Sequence, residues 1–179
     1  TIWGQGIKLM AGIIYELVDV LEQEKECYEG LETLASYTEM AIVNKNIEFL
    51  QEVVKTEEEF IGRLGIVSKK RDNLMKDIAI VTGMNFNDLT ITKIIEKIGQ
   101  NTEIGQILTK LRDEIRIQLD EIKTKSELNK QLLTDSLEFV DFTVNAIRST
   151  RGYGHMGGYN KPGEDTAVQE QQSIFDQKQ

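Results

Sequence analysis

Apolar residues recur at steps of three and four along most of the chain, the spacing that lines one face of an α-helix. Between Met10 and Thr38 the stripe is Ile14, Leu17, Leu21, Tyr28, Leu31 and Ala35, broken only at Glu24. Glu16, Asp19, Glu22, Glu26 and Glu29 fall on the opposite face. Asn44 and Asn46 come next, and asparagine side chains cap helix N-termini well. The pattern therefore predicts a joint between Tyr37 and Asn46, or a helix that bends there and runs on. From Ile47 to Val81 the stripe is Leu50, Val53, Phe60, Leu64, Val67, Leu74, Ile78 and Val81, about five heptads of a coiled-coil-like helix. Glu57 and Arg71 occupy the same stripe. Such residues either reach solvent from the stripe's edge or fix register by pairing with a neighbouring helix.

Thr82 to Asp88 ends that helix, because Gly83 suits a C-terminal cap and the Asn/Asp cluster suits a turn. Thr90 or Asn87 can cap a short helix through Ile98, which Gly99 closes. Thr102 then opens the last long helix. Its stripe is Ile104, Leu108, Leu111, Ile115, Ile122, Leu132, Phe139, Thr143 and Ala146, interrupted by Gln118, Lys125, Asn129 and Ser136. One Asn on such a seam can set register at a cost in stability, which makes Asn129 a register candidate beside Glu57 and Arg71.

The helical signal fades after Arg148, where composition changes. Arg151 to Gly163 contains five glycines, two tyrosines and the chain's only Pro and His; it is expected to be flexible. Thr166 to Gln179 is polar and Gln-rich around Val168, Ile174 and Phe175, too few apolar residues to fold alone but enough to dock in a groove. Residues 1–9 hold the only Trp, Trp3, between turn-like glycines, and Met10 looks like a natural start; Thr1–Leu9 is read as vector-derived or upstream sequence. The expected architecture is all-α: an elongated antiparallel bundle of three long helices, each roughly 45–70 Å, plus one short helix, with a flexible C-terminal tail. The bundle occupies residues 10–149 and the tail 150–179.

Charge and chemistry narrow the function. The net charge of −9 disfavours nucleic acid and anionic membrane as partners. No apolar run approaches the ~18–20 residues that span a bilayer, and no signal-peptide pattern opens the chain. Cys27, the one cysteine, can form no internal disulfide and fits a small core residue in a cytoplasmic protein. A di-iron bundle needs two Glu-x-x-His motifs, whereas the single His155 sits in the glycine-rich segment. Gly152-Tyr153-Gly154-His155-Met156-Gly157 matches a bare Gly-x-Gly-x-x-Gly pattern, but no strand precedes it. With no nucleophile–base pair, no metal set and no cofactor motif, an enzyme is not expected.

Three stretches carry a family resemblance. Ala41-Ile42-Val43-Asn44-Lys45-Asn46-Ile47-Glu48-Phe49-Leu50, leading to Glu57-Glu58-Glu59 and Lys70-Arg71, resembles the second helix of the FlgN-type flagellar export chaperones, which often have Asp where this chain has Asn46. Asn129-Lys130-Gln131-Leu132-Leu133, followed by Ser136-Leu137-Glu138-Phe139-Val140, resembles their last helix. Tyr153-Gly154 and Ser173-Ile174-Phe175-Asp176-Gln177-Lys178 are similar to tails of Gram-positive-like members. The resemblance implies a cytoplasmic chaperone of type III flagellar export. Such a protein binds hook-associated proteins through its C-terminal part, prevents their premature assembly and delivers them to the export gate. Isolated aromatic and aliphatic anchors late in the chain then become partner-binding candidates: Phe139, Phe142, Tyr153, Tyr159, Ile174 and Phe175. Phe139 and Phe142, three apart on a helix, point in similar but not identical directions. The alternative is a self-assembling coiled-coil structural or adaptor protein, and a homodimer is compatible with either.

Overall fold

A computed structural model of the chain describes the backbone of residues 2–153 and the side chains of residues 10–149. The elements are α1 (Ile2–Val43), α2 (Ile47–Thr82), a 3-10 turn (Phe86–Asp88), α3 (Ile91–Ile98) and α4 (Glu103–Tyr153). The all-α set of three long helices and one short one is the set that the hydrophobic periodicity predicts. The chain divides into two compact units, Thr1–Glu138 and Phe139–Gln179; the bundle below belongs to the first.

Each chain reversal has a local cause. α1 stops where Lys45 takes a left-handed backbone (φ 54°). There the Asn46 amide donates to Ala41 O at 2.9 Å and the Lys45 amide to Ile42 O at 3.0 Å, satisfying carbonyls that the helix end leaves open. Asn46 then caps α2, its side-chain oxygen accepting from the Phe49 amide at 3.0 Å. The joint is thus a three-residue turn rather than a bend. Gly83 ends α2 in the same way at φ 66°, a conformation glycine adopts without penalty. Thr90 caps α3 through the Lys93 amide, and Thr102 caps α4 through the Gly105 amide.

The short turn makes α2 antiparallel to α1. Tyr37 and Phe49 pack near it with tilted rings, centroids 6.1 Å apart, and farther along Arg71 of α2 reaches Glu24 of α1. α4 runs parallel to α1, as Lys25–Glu114, Glu32–Lys125 and Ala35–Asn129 show. The main core gathers where both ends of the hairpin meet α3 and the start of α4: Leu17, Leu21, Ile78, Ile95, Leu108 and Leu111 among others. Full burial of side chains of this size stabilises by about 1.5–3 kcal/mol each.

Three details depart from the sequence reading. The backbone is already helical from Ile2, so Gly4 and Gly6 make no turn. α4 continues past Arg148 to Tyr153, taking Arg151–Tyr153 out of the expected flexible segment. On α2 the buried residues shift from Val53 and Val67 to Met75, Ile78 and Ala79, while Val81 is exposed. An α-helix drifts by about 20° per heptad against a strict seven-residue repeat. After several heptads the face toward α1 has therefore moved to the next residue.

One close approach fixes the spacing of the hairpin. The Phe60 ring lies against the Gly30 backbone where any Cβ would overlap it, with the Arg63 guanidinium 5.4 Å from the ring centroid. Gly30→Ala should lower stability by about 1–3 kcal/mol in urea unfolding, because overpacking outweighs the gain in helix propensity. Phe60→Leu in the same chain should recover part of the loss.

Candidate functional site

Glu24, which interrupts the first stripe, is 0% exposed. Its carboxylate accepts from Arg71 Nη1 at 2.9 Å and from Ser68 Oγ at 3.1 Å, so both oxygens are engaged. An ionised carboxylate taken out of water costs several kcal/mol unless it is paired and hydrogen-bonded. Sliding α2 by one turn, about 5.4 Å, would strand it. Tyr28 stands beside the pair, and burial, then the Glu24 charge, push its phenol pKa up.

Glu57, two heptads before Arg71, is not brought to it. It is half-buried and, among the described residues, in no ion pair. Burial alone raises its pKa above the ordinary glutamate value. Asn129 is buried on the α1–α4 seam, its Nδ2 donating to Ala35 O at 2.7 Å, while its Oδ1 is buried with no hydrogen-bond partner. Lys125–Glu32 at 2.9 Å and Lys25–Glu114 at 2.8 Å clamp the same seam from outside. Lys125, which interrupts the α4 stripe in sequence, is therefore an inter-helix contact.

The partner-binding candidates divide. Phe139 and Phe142 lie on α4 and are 59% and 72% exposed. Tyr153 is the last helical residue. Tyr159, Ile174, Phe175 and His155 lie outside the described residues. Around the two phenylalanines, Val140, Val144 and Ile147 are exposed as well. The sequence reading missed these three, although their steps of four and three continue a spacing that begins at Leu133 and Leu137. That second apolar stripe runs beside the one through Phe139, Thr143 and Ala146. A helix apolar on so much of its circumference needs cover from more than one neighbour.

Among the described residues no group of three His, Cys, Asp or Glu is placed to hold a metal. No described helix is long and apolar enough to cross a membrane. Cys27 is buried in the bundle. The FlgN family model, described as FlgN protein, matches residues 10–167, nearly the whole bundle and beyond. The chain belongs to the FlgN family. FlgN proteins are chaperones of flagellar type III export. Neither a curated protein nor a solved structure matches the chain. The matched span begins at Met10 and includes all of α2, α3 and α4, so both the Glu24–Arg71 pair and the apolar end of α4 fall inside the FlgN region.

A register role for Arg71 in this FlgN bundle gives a definite expectation. Arg71→Met should destabilise by about 3 kcal/mol or more, since it leaves a buried carboxylate alone. Glu24→Met added to it should recover most of that in urea unfolding; a loss within the ~0–1 kcal/mol of exposed pairs would deny the role. Glu57 gives a pH-dependent one. Because its folded pKa is raised, its stabilising contribution is full below the unfolded value and is lost as pH rises through the folded pKa. Glu57→Gln should thus be more stable than the parent at neutral pH, with the difference vanishing in acid, as paired thermal melts across pH would show.

Proposed function

We propose that the chain is a cytoplasmic chaperone for the hook-associated proteins, which it holds through the apolar end of α4, keeps from assembling early and delivers to the export gate. The observation that carries the reading is Phe142. It is a large aromatic side chain, 72% exposed, in a helical segment that also exposes Phe139, Val140, Val144 and Ile147. Aromatics in such positions are favoured interface anchors, and FlgN membership supports a flagellar export substrate as the client. Tyr153, Tyr159, Ile174 and Phe175 are included in the proposed client contact as the later anchors of the same sequence. An amphipathic client helix with apolar residues at three-four spacing is the natural complement to a helical apolar face.

Calorimetry with a hook-associated protein tests this. Phe142→Ala should weaken binding about tenfold or more, the range of an interface hot spot, with circular dichroism unchanged. Truncation after Thr150 should weaken it further. If both variants bind like the full chain, the end of α4 and the segment after it are not the client site.

A further inference from the structure

The outer face of α2 has an order that packing within the chain does not explain. Its inner face is set by Val53, Val67, Met75, Ile78 and Ala79. On the outer face Lys55, Glu58, Gly62, Gly65, Lys69 and Asp72 follow at steps of three and four, and all are exposed. Ile61 and Ile66, beside the glycines, are 57% and 63% exposed. Glycine inside a helix is destabilising relative to alanine. Gly30 is needed because Phe60 lies on it, and Gly105 because the Gly99 carbonyl does. A Cβ on Gly62 or Gly65 would meet nothing within 4 Å, so nothing among the described residues requires either to be glycine.

The order is palindromic. Measured from the midpoint between Arg63 and Leu64, Lys55 lies as far before it as Asp72 lies after it. Glu58 stands in the same relation to Lys69, Ile61 to Ile66 and Gly62 to Gly65. Turning the helix end over end therefore sets each acidic group of this face opposite a basic one, isoleucine opposite isoleucine and glycine opposite glycine. That is the self-complementarity a two-fold contact demands. A parallel pair would instead set Glu58 against Glu58 and Lys69 against Lys69, which repel. Among the described residues Lys55, Glu58 and Lys69 make no ion pair within the chain, and Arg71 reaches one oxygen of Asp72 at 3.8 Å.

We infer that this face docks a second copy of the chain, the two α2 helices antiparallel and crossing at Gly62–Gly65. The glycines let the backbones approach, the isoleucines supply the apolar contact, and the flanking charges select orientation and register.

Sedimentation equilibrium of the full chain tests it. A dimer is expected at low ionic strength, its Kd rising about tenfold as salt screens the pairs. Glu58→Lys should yield monomer, and Glu58→Lys with Lys69→Glu should restore the dimer. Gly62→Leu should also yield monomer while helicity by circular dichroism stays at least as high, since that position has open space. A chain that is monomeric at every salt concentration overturns the inference. So does a dimer indifferent to these substitutions, which would place the contact elsewhere.

Discussion

A carboxylate with no access to water stands at the centre of the α1–α2 hairpin, and most of the bundle's geometry is compatible with only one way of satisfying it. Glu24 needs two donors, and Arg71 and Ser68 supply them from one face of α2. In the antiparallel hairpin, one register of α2 against α1 brings both donors to it. The same register brings Phe60 over Gly30 and Tyr37 against Phe49 beside the turn. The turn must then reverse the chain within Asn44–Asn46, with Lys45 in a backbone conformation that non-glycine residues seldom adopt. Hydrophobic burial supplies the larger stabilisation, but it is tolerant of sliding; the ion pair is not.

With the hairpin set, burial is unevenly distributed along it. The start of α1 and the end of α2 are closed over by α3 and the first turns of α4, where the main cluster lies. Toward the α1–α2 turn the buried set is thinner: Leu34, Ala35, Ala41, Ile42 and Val53, with Asn129 among them. Polar contacts take over there. Asn129 binds a backbone carbonyl of α1 and Lys125 binds Glu32, interactions that specify position more than they stabilise.

Most of this architecture was legible from spacing. The helix count, the caps at Asn46, Thr90 and Thr102 and the stop at Gly83 follow from local chemistry, which a sequence displays directly. Arg71 was legible as a polar residue on an apolar stripe, but its partner was not. Glu24 read as a flaw in the pattern because the pairing joins residues 47 positions apart, and only the hairpin register reveals it. Glu57 shares the stripe with Arg71 yet meets no ion-pair partner among the described residues, because a shared stripe on one helix says nothing about what the facing helix offers at each level. At the end of α4 the aromatics drew attention while Val140, Val144 and Ile147 did not. Their spacing was as regular, yet two adjacent stripes blur one another when only one is sought.

The glycines show how far burial can be separated from purpose. A glycine in the middle of a helix weakens it by a similar amount wherever it stands, so what differs is what the missing side chain makes room for. At Gly30 the room is filled by Phe60 and at Gly105 by the Gly99 carbonyl. At Gly62 and Gly65 it is open, on an exposed face whose charges are ordered about the glycines themselves. A solvated face chosen only for solubility would have no reason to be symmetric about the two residues that most weaken the helix, and alanine there would serve it better. The apolar end of α4 presents the complementary case, where side chains large enough to fill a core stand in solvent. Both surfaces carry a local cost that packing within the bundle does not offset, and they lie on different helices. One is symmetric and suits a copy of itself. The other has no such symmetry, in keeping with the client contact proposed for it.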